Sequence, residues 1–214
     1  MSQNKVADTF DQWAENGDDA RMEDGHGNVV KQVIERMQIA PGERILDLGC
    51  GNGWATRLIA QVNAGVQAIG VDCSPKMIAR ADELHSYTIR ARYDFGSFEN
   101  LEFKDSEFDR IFSMEALYYA DDLAKCLAEA QRVLKPGGRA EILVDYFSES
   151  GGSATWSEDI GLPMHRMDEA GWTQALESAG FSSASCERII DSREPKPGKE
   201  ELHAAGTLWI RGTK

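Results

Sequence analysis

The chain has 214 residues, and its 36 Asp and Glu outnumber its 23 Lys and Arg, which gives a formal net charge of −13. With 42% hydrophobic and 28% charged residues it has the composition of a globular protein, which excludes wholesale disorder. An acidic surplus of this size repels polyanions, so we expect no nucleic-acid partner.

Strand-like and helix-like segments alternate along the chain, which is the pattern of an α/β fold with a parallel sheet and covering helices. Two helices are predicted first, over residues 5–15 and 27–38, with the Asp-Gly-His-Gly segment at residues 24–27 as a flexible joint. Strands are predicted over residues 44–49, 66–72, 87–95, 108–113, 139–147, 182–190 and 206–212. Further helices are predicted over residues 54–61, from Ser74 onward, over 121–134, and over 168–179 with Asp168 as the cap. Residues 135–138 predict a turn, and residues 148–167 a loop with a short helix.

The cysteine pattern and the hydropathy indicate which classes of protein are disfavoured. The four cysteines include no Cys-x-x-Cys pair, so the sequence encodes no local zinc or redox motif, and we expect no metal. No apolar run approaches the ~20 residues that a membrane helix needs, and the N-terminus lacks an apolar signal core. We therefore expect a soluble, cytoplasmic protein with no membrane span and a single domain over residues 1–214, either a monomer or a homodimer.

Residues 47–53 (Asp-Leu-Gly-Cys-Gly-Asn-Gly) lie between an apolar strand and a predicted helix. Glycines let the backbone turn tightly and approach a ligand, and a helix N-terminus offers unpaired N–H groups. Asp72 ends the next predicted strand, where a carboxylate can accept hydrogen bonds from both ribose hydroxyls of a nucleoside. Trp54 stands where a dinucleotide fingerprint needs Gly or Ala, which disfavours a nicotinamide cofactor. The pattern indicates a nucleoside cofactor at the carboxyl edge of the sheet, and a tight turn without a ligand is the alternative.

Four segments in chain order resemble the motifs of class I S-adenosylmethionine-dependent methyltransferases. Residues 45–53 resemble the glycine motif, and residues 71–78 resemble the acidic loop after the second strand. Residues 108–113 and 132–138 resemble the fourth-strand segment and the turn before the fifth strand. Together they cover about residues 44–147 and specify the family rather than the substrate. The resemblance implies a Rossmann-like, seven-stranded, mostly parallel sheet with a reversed last strand and helices on both faces, and S-adenosylmethionine as the cofactor.

The resemblance also implies roles for the residues of the cofactor loops. Gly49 and Gly51 would hold the methionine part of the cofactor, and Asp47 would orient the loop or bind the amino group. Asp72 would bind the ribose hydroxyls, and Met77 would border the adenine. The expected cofactor-binding set is completed by residues beside these loops, at the sheet edge or in the N-terminal helices, namely Asn52, Cys73, Met114 and Trp13.

Ser97 and Phe98 stand where relatives often carry an acidic residue followed by a small one. In that place, Ser97 can accept a hydrogen bond from the adenine amino group, and Phe98 can pack on the ring. A turn with a core Phe is the alternative, and both possibilities stay open.

Methyl transfer is an in-line displacement in which the protein aligns the nucleophile and excludes water, and a base is needed only if the nucleophile keeps its proton. No catalytic triad is visible, and the expected catalytic residues are His26, Glu115 and Tyr118. Glu115 and Tyr118 follow the fourth strand at the sheet edge that faces the substrate. The ordinary alternatives are a surface histidine, a solvated carboxylate and a core tyrosine.

The N-terminal and late segments would cover the site. In similar methyltransferases, a region such as residues 1–40, which contains His26, folds over the cofactor as a helical lid. A loop such as residues 148–167, which contains His165, covers the substrate. Asp145, at the end of the fifth strand, would suit the rim of the site.

A motif that the sequence lacks narrows the class of methyl acceptor. No Asn/Asp-Pro-Pro-Tyr/Phe motif follows the fourth strand, which disfavours the amino-group methylation typical of DNA and glutamine modifiers. With the acidic charge, this favours methyl transfer to an O, N or C nucleophile of a small molecule. The alternative is a non-catalytic sensor or subunit that binds S-adenosylmethionine, and a nicotinamide dehydrogenase is a third, disfavoured hypothesis.

Overall fold

One sheet with the strand order β3-β2-β1-β4-β5-β7-β6 forms the centre of the computed structural model, which describes residues 2–214. Its strands are β1 (Arg44–Leu48), β2 (Gln67–Asp72), β3 (Ala91–Phe95), β4 (Phe108–Met114), β5 (Leu134–Val144), β6 (Ser182–Ile189) and β7 (Thr207–Thr213). The first five strands are parallel, and β7 runs antiparallel to both β5 and β6. The expected seven-stranded sheet with a reversed last strand is therefore confirmed.

Helices lie around this sheet, and two of them begin at the predicted caps. They are α1 (Ser2–Asn16), α2 (Ala20–Met37), α3 (Trp54–Ala60), α4 (Pro75–Glu83), α5 (Leu123–Val133), α6 (Trp156–Ile160), α7 (Glu169–Ser178) and α8 (Glu200–Ala205). The Ser74 hydroxyl accepts a hydrogen bond from the Met77 amide at 3.0 Å, and the Asp168 carboxylate accepts one from the Gly171 amide at 2.7 Å. No helix within residues 2–214 is long and apolar enough to cross a membrane.

The joint between the first two helices differs from the sequence prediction. It lies at residues 17–19, where Gly17 has a φ of 75°, and not at residues 24–27. The glycine-containing segment is part of α2, so His26 stands inside a helix. Glycines in a helix interior cost up to about 1 kcal/mol each relative to Ala. Burial of one apolar stripe of α2 outweighs this local preference. The stripe consists of Val29, Val30, Val33, Ile34 and Met37.

Other boundaries also differ from the prediction. Strand β3 is shorter than predicted and begins at Ala91. Strand β5 begins at Leu134 and includes residues 135–138, for which the sequence predicts a turn, because Leu134 pairs with Phe108 ahead of a shift in register. The same strand ends at Val144, and α8 is a helix that the sequence pattern did not indicate.

Both faces of the sheet are covered, because neighbouring residues of a strand point to opposite faces. Ile45 belongs to a buried cluster with Val33 of α2 and Ile59 of α3. The next residue, Leu46, belongs to a second cluster that includes Trp172 of α7. The carboxyl ends of the strands are left as the edge at which a ligand can approach.

A buried ionic group joins three neighbouring strands. Arg110 of β4 donates from Nε to Glu43 Oε2 at 2.6 Å and from Nη1 to Glu141 Oε1 of β5 at 3.3 Å. Trp209 of β7 donates from Nε1 to the other oxygen of Glu141 at 2.9 Å. Burial raises the pKa of Glu141, and the positive charge of Arg110 opposes that shift. The guanidinium therefore offsets part of the cost of burying Glu141 inside the sheet.

Replacing Arg110 with Met should lower the free energy of unfolding by about 3–5 kcal/mol, because Glu141 would stay buried without its cation. Urea unfolding followed by circular dichroism measures this change. Arg90→Met, at an exposed position before β3, is the control and should change the stability by less than about 0.5 kcal/mol. Equal effects of the two substitutions would contradict a structural role for the buried group.

Candidate active site

A narrow cleft lies at the carboxyl ends of β1, β2 and β4, beneath α1, and has about 620 Å³ of free space, including the part open to solvent. Its lining includes every predicted cofactor-binding residue except Asp47 and Ser97. These residues are Trp13, Gly49, Gly51, Asn52, Asp72, Cys73, Met77, Phe98 and Met114. Glu115, expected to be catalytic, also lines the cleft.

The glycine loop shapes one wall of this cleft. Gly49 has a φ of 75°, and a Cβ added to it would lie 2.2 Å from the Cβ of Ala116, so only glycine fits there. Gly51 has a φ of 53° and faces open space, with no heavy atom within 4 Å of an added Cβ. The Gly51 amide donates to Asp72 Oδ2 at 2.8 Å. The loop is therefore tied to the end of β2 and leaves room beside its backbone.

Asp72 is buried where β2 ends, with 8% of its surface exposed. Its Oδ2 accepts from the Gly51 amide and its Oδ1 accepts from the Ser74 amide at 2.9 Å. Burial raises the pKa of Asp72, and these backbone hydrogen bonds partly offset the effect. A carboxylate can accept about four hydrogen bonds. Asp72 therefore keeps acceptor capacity for a hydroxyl donor in the cleft.

Asp47 and Ser97 lie outside the lining. Asp47 is buried below the loop, and its Oδ2 accepts from the Thr56 hydroxyl at 2.6 Å, which joins β1 to α3. Burial raises the pKa of Asp47 to about 7, opposed by the Thr56 hydrogen bond and reinforced by the charge of Asp72. Ser97 forms a short bridge with Asn100, on a part of the surface that the cleft does not reach.

Helix α1 closes the cleft from above. Phe10 and Trp13 line it, and the Phe10 ring lies 5.2 Å from the Tyr119 ring, edge to face. On its other side, Asp11 of α1 accepts hydrogen bonds from the Ser74 hydroxyl at 2.5 Å and the Lys76 amide at 3.1 Å. These contacts hold the N-terminal helix over the cleft as a lid would be held.

Glu115 occupies a strained position directly after β4. Its φ is 52°, a conformation that costs a non-glycine residue roughly 1–3 kcal/mol. Its Oε2 accepts from the Tyr118 hydroxyl at 2.8 Å, and its Oε1 accepts from the backbone amide of Asp145. Burial, followed by the negative charge of Asp145, raises the pKa of Glu115 well above its usual range.

Asp145 connects this position to the third expected catalytic residue. Its Oδ2 lies 3.4 Å from Nδ1 of His26, and its Oδ1 accepts from the Thr207 hydroxyl at 2.5 Å. The structure therefore brings Glu115, Tyr118 and His26 into one polar network. Asp145 was expected only at the rim, and Thr207, at the start of β7, carried no signal in the sequence.

The network lies between the cleft and a second cavity, which has about 1,080 Å³ of free space, including the part open to solvent. His26, Asp145 and Thr207 line the second cavity, whereas Glu115 lines the first cleft. The apolar part of the second lining consists of Val29, Trp156, Ile189, Pro195 and Leu202. His165, the other histidine considered, instead contacts the Ala120 carbonyl oxygen at 2.8 Å.

The same network contains a set of possible metal ligands. One ligand atom each from His26, Glu115 and Asp145 lies within 4.8 Å of the others. Two carboxylate oxygens and an imidazole nitrogen suit several divalent cations. Hydrogen bonds from Tyr118 and Thr207 also account for the carboxylates without a cation. The expectation of a reaction without metal stays a prediction.

Asp47→Asn should remove one source of pH-dependent stability while it keeps an acceptor for Thr56. The folded-state pKa, about 7, lies above the ordinary value of 3.8, so the folded chain binds this proton more tightly than the unfolded chain. Stability from this group is therefore present at low pH and is lost as the pH rises through about 7. Wild-type minus variant free energies of unfolding should fall between about pH 5 and pH 7 by up to roughly 1.4 kcal/mol per pH unit. Urea unfolding across this range measures the difference, and a constant difference would contradict the burial effect.

Comparison with known proteins places this site in a family. Residues 46–142 match the family model described as "Methyltransferase domain". The chain is 33% identical to a chain from the complex of the Haloferax volcanii Trm112 methyltransferase activator with a methyltransferase, over 95% of this chain and 96% of that one, with a TM-score of 0.89. It is 32% identical over 133 residues to O-methyltransferase resE of Aspergillus sclerotiorum, which is 61% of this chain and 50% of that protein.

This chain spans about half the length of the first curated relatives it matches. Phosphoethanolamine N-methyltransferase 2 of Haemonchus contortus, solved with S-adenosyl-L-methionine, has the same fold with a TM-score of 0.67 at 20% identity, over 87% of this chain and 52% of that one. The family model covers the glycine loop and the parallel part of the sheet, and the likeness to the Haloferax volcanii methyltransferase extends over almost the whole chain. This chain therefore belongs to the class I methyltransferases and uses S-adenosylmethionine as its cofactor.

Proposed function

We propose that this chain transfers the methyl group of S-adenosylmethionine to a small molecule bound in the second cavity, with His26 as the general base. One observation carries the proposal. The buried network that contains Glu115, Asp145 and His26 borders the cofactor cleft on one side and the second cavity on the other. An acceptor in that cavity would contact His26 at the wall that the cavity shares with the cofactor cleft.

The donor set of the first cleft supports the cofactor assignment. The remaining lone pairs of Asp72 suit ribose hydroxyls, and the apolar side chains of Met77 and Phe98 suit the adenine. The open space beside Gly51 would admit the methionine part close to the backbone. When bound, the cofactor supplies a methyl group that is already activated by a sulfonium, so the protein needs chiefly to align the acceptor and exclude water.

His26 is suited to remove a proton from the acceptor. The Asp145 carboxylate, 3.4 Å from Nδ1, favours the tautomer with the proton on Nδ1 and leaves Nε2 unprotonated. The same carboxylate stabilises the imidazolium that forms when the base takes a proton. Thr207 holds Asp145 from its other oxygen and limits the rotation of the carboxylate.

Glu115 and Tyr118 support this arrangement in different ways. Glu115 lines the cofactor cleft and fixes the backbone of Asp145, so it contacts both halves of the proposed site. Tyr118 is only 2% exposed, and its hydroxyl donates to Glu115. It does not line either cavity, so we assign it as a positioning residue that acts through Glu115.

The second cavity supports a small, partly apolar acceptor. Its apolar walls surround a polar base, which is the arrangement common in small-molecule sites. The net charge of −13 argues against a nucleic-acid acceptor. Among O, N and C nucleophiles we favour an oxygen acceptor, because the fungal relative is named O-methyltransferase resE.

A second candidate arises from the Haloferax volcanii complex, in which a methyltransferase is bound to the activator Trm112. By analogy, this chain would work as a subunit that binds the cofactor and needs a partner protein for turnover. The two candidates differ in one measurement. A purified chain that acts alone turns over a small acceptor, whereas a dependent subunit binds the cofactor and turns over only after the partner is added.

His26→Gln should lower turnover by about 10²–10⁴-fold for an acceptor that must lose a proton, with cofactor affinity unchanged. Release of S-adenosylhomocysteine with a panel of phenols, hydroquinones and amines measures the turnover, and calorimetry measures the affinity. His85→Gln is the control, because His85 packs against Tyr87 and Tyr93 away from the network. Equal turnover by the two variants would remove His26 from the mechanism. Loss of wild-type turnover in EDTA, restored by a divalent cation, would instead assign the cluster to a metal.

Asp72→Ala should weaken the binding of S-adenosylmethionine by roughly 1.5–3 kcal/mol, the contribution of hydrogen bonds to a charged group. Isothermal titration calorimetry with the purified chain measures this loss. Asp94→Ala, on neighbouring β3 where Asp94 pairs with Arg92, is the matched control and should bind as the wild type does. Unchanged affinity of a folded Asp72 variant would show that the ribose is held elsewhere.

A further inference from the structure

Asp19 lies at the joint between α1 and α2 and lines the cofactor cleft, yet it is only 2% exposed. One of its carboxylate oxygens, Oδ2, accepts a hydrogen bond from the Asn52 side-chain amide at 2.8 Å. The other oxygen, Oδ1, is buried without any hydrogen-bond partner among the described residues. Buried polar atoms are almost always paired, so this oxygen needs an explanation.

The helix that Asp19 precedes does not supply the missing partner. Asp19 is the N-cap residue of α2, a position where an aspartate normally accepts from an amide of the first helical turn. Here the side chain makes no such capping hydrogen bond. It instead extends to Asn52 of the glycine loop, on the wall of the cleft. The Asp19 side chain therefore forms a hydrogen bond to the glycine loop and none to the first turn of its own helix.

The nearest cation does not supply a donor to the free oxygen either. Arg80 of α4 forms an ion pair with the carboxylate at 3.6 Å through Oδ2, and its side chain is 41% exposed. The same guanidinium also donates to Glu83 at 3.0 Å. Oδ1 therefore remains an unpaired acceptor in a side chain that lines the cleft, and a cation with N–H donors suits such a carboxylate oxygen.

We propose that Asp19 binds the α-ammonium group of the cofactor's methionine part through this free oxygen. Asp72, at the end of β2, accounts for the ribose, and the loop that includes Gly49 and Asn52 lies between the two carboxylates. Of the groups on the methionine part, only the ammonium is both positively charged and a hydrogen-bond donor. Asp47, the other residue considered for this group, is tied to Thr56 below the loop and does not line the cleft.

This assignment gives the N-terminal helices a direct part in cofactor selection. Helix α1 is already tied to α4 through Asp11 and Ser74 at one point of the lid. An ammonium held by Asp19 would tie the helical joint to the bound cofactor at a second point. The site would then discriminate S-adenosylmethionine and S-adenosylhomocysteine from adenosine compounds that lack the amino acid.

Calorimetry with two ligands tests the proposal without any methyl acceptor. S-adenosylhomocysteine carries the ammonium, and 5′-methylthioadenosine has the same thioether nucleoside without the amino acid. Asp19→Asn keeps an acceptor for the Asn52 amide and removes the charge. This substitution should weaken the binding of S-adenosylhomocysteine at least tenfold, and the affinity for 5′-methylthioadenosine should stay within twofold of the wild-type value. The control is Asp18→Asn, whose native side chain pairs with Arg21 at the surface and should affect neither ligand.

A third ligand keeps the test decisive if the variant does not fold. The wild type should bind the S-adenosylhomocysteine analogue that lacks only the ammonium at least tenfold more weakly than S-adenosylhomocysteine itself. Equal wild-type affinity for these two ligands would overturn the proposal. The proposal would also be overturned if a folded Asp19→Asn variant lost affinity for S-adenosylhomocysteine and for 5′-methylthioadenosine to the same extent. A purely structural role of Asp19 would weaken the binding of both ligands. The outcome does not depend on the proposed acceptor or on His26, since only cofactor binding is measured.

Discussion

The burial of several carboxylates at one edge of the sheet is the constraint on which the site depends. Five of them are less than a tenth exposed, namely Asp19, Asp47, Asp72, Glu115 and Asp145. Like charges in a medium of low polarity raise one another's pKa, and burial raises the pKa of Asp47, Asp72 and Glu115. Donors from Thr56, Gly51 and Tyr118 compensate part of this cost. The cofactor carries a sulfonium and an ammonium group, so it brings positive charge to this acidic edge.

The sheet topology explains why these groups meet. The chain leaves β1 toward β2 and β3 on one side, and β4 lies on the other side, so β1 stands at the point where the strand order reverses. A crevice opens at the carboxyl ends of the strands at such a point. The loop after β1 and Asp72 after β2 form one wall, and Glu115 after β4 faces them. The Glu115 amide donates to the Leu143 carbonyl of β5 at 2.9 Å, which keeps the residue in its strained backbone conformation. The sheet itself therefore fixes the direction of the Glu115 carboxylate.

Residues with a local signal were predictable, and residues brought together by tertiary packing were not. The glycine loop, Asp72 and the cap at Ser74 each follow from neighbours a few positions away, and the sheet order followed from the resemblance. Gly25 and Gly27 suggested a joint, but the buried stripe of α2 decided in favour of a helix. Asp19 stands among other acidic residues with nothing local to distinguish it, and its burial comes from Asn52, 33 positions away. Thr207 reaches Asp145 over 62 positions, beyond any local pattern.

The two halves of the site are connected through one short backbone segment. Glu115 lines the cofactor cleft and holds the amide of Asp145, while the Asp145 carboxylate faces His26 and the second cavity. Any change of charge in the cleft therefore acts on Glu115 first and reaches His26 through two contacts in a medium of low polarity. In the mechanism that we propose, the sulfonium loses its positive charge in the cleft, and His26 gains one on the other side of the Glu115 and Asp145 pair when it takes the proton of the acceptor. The total charge of cofactor, acceptor and base is therefore unchanged by the transfer, and the new positive charge forms beside the Asp145 carboxylate.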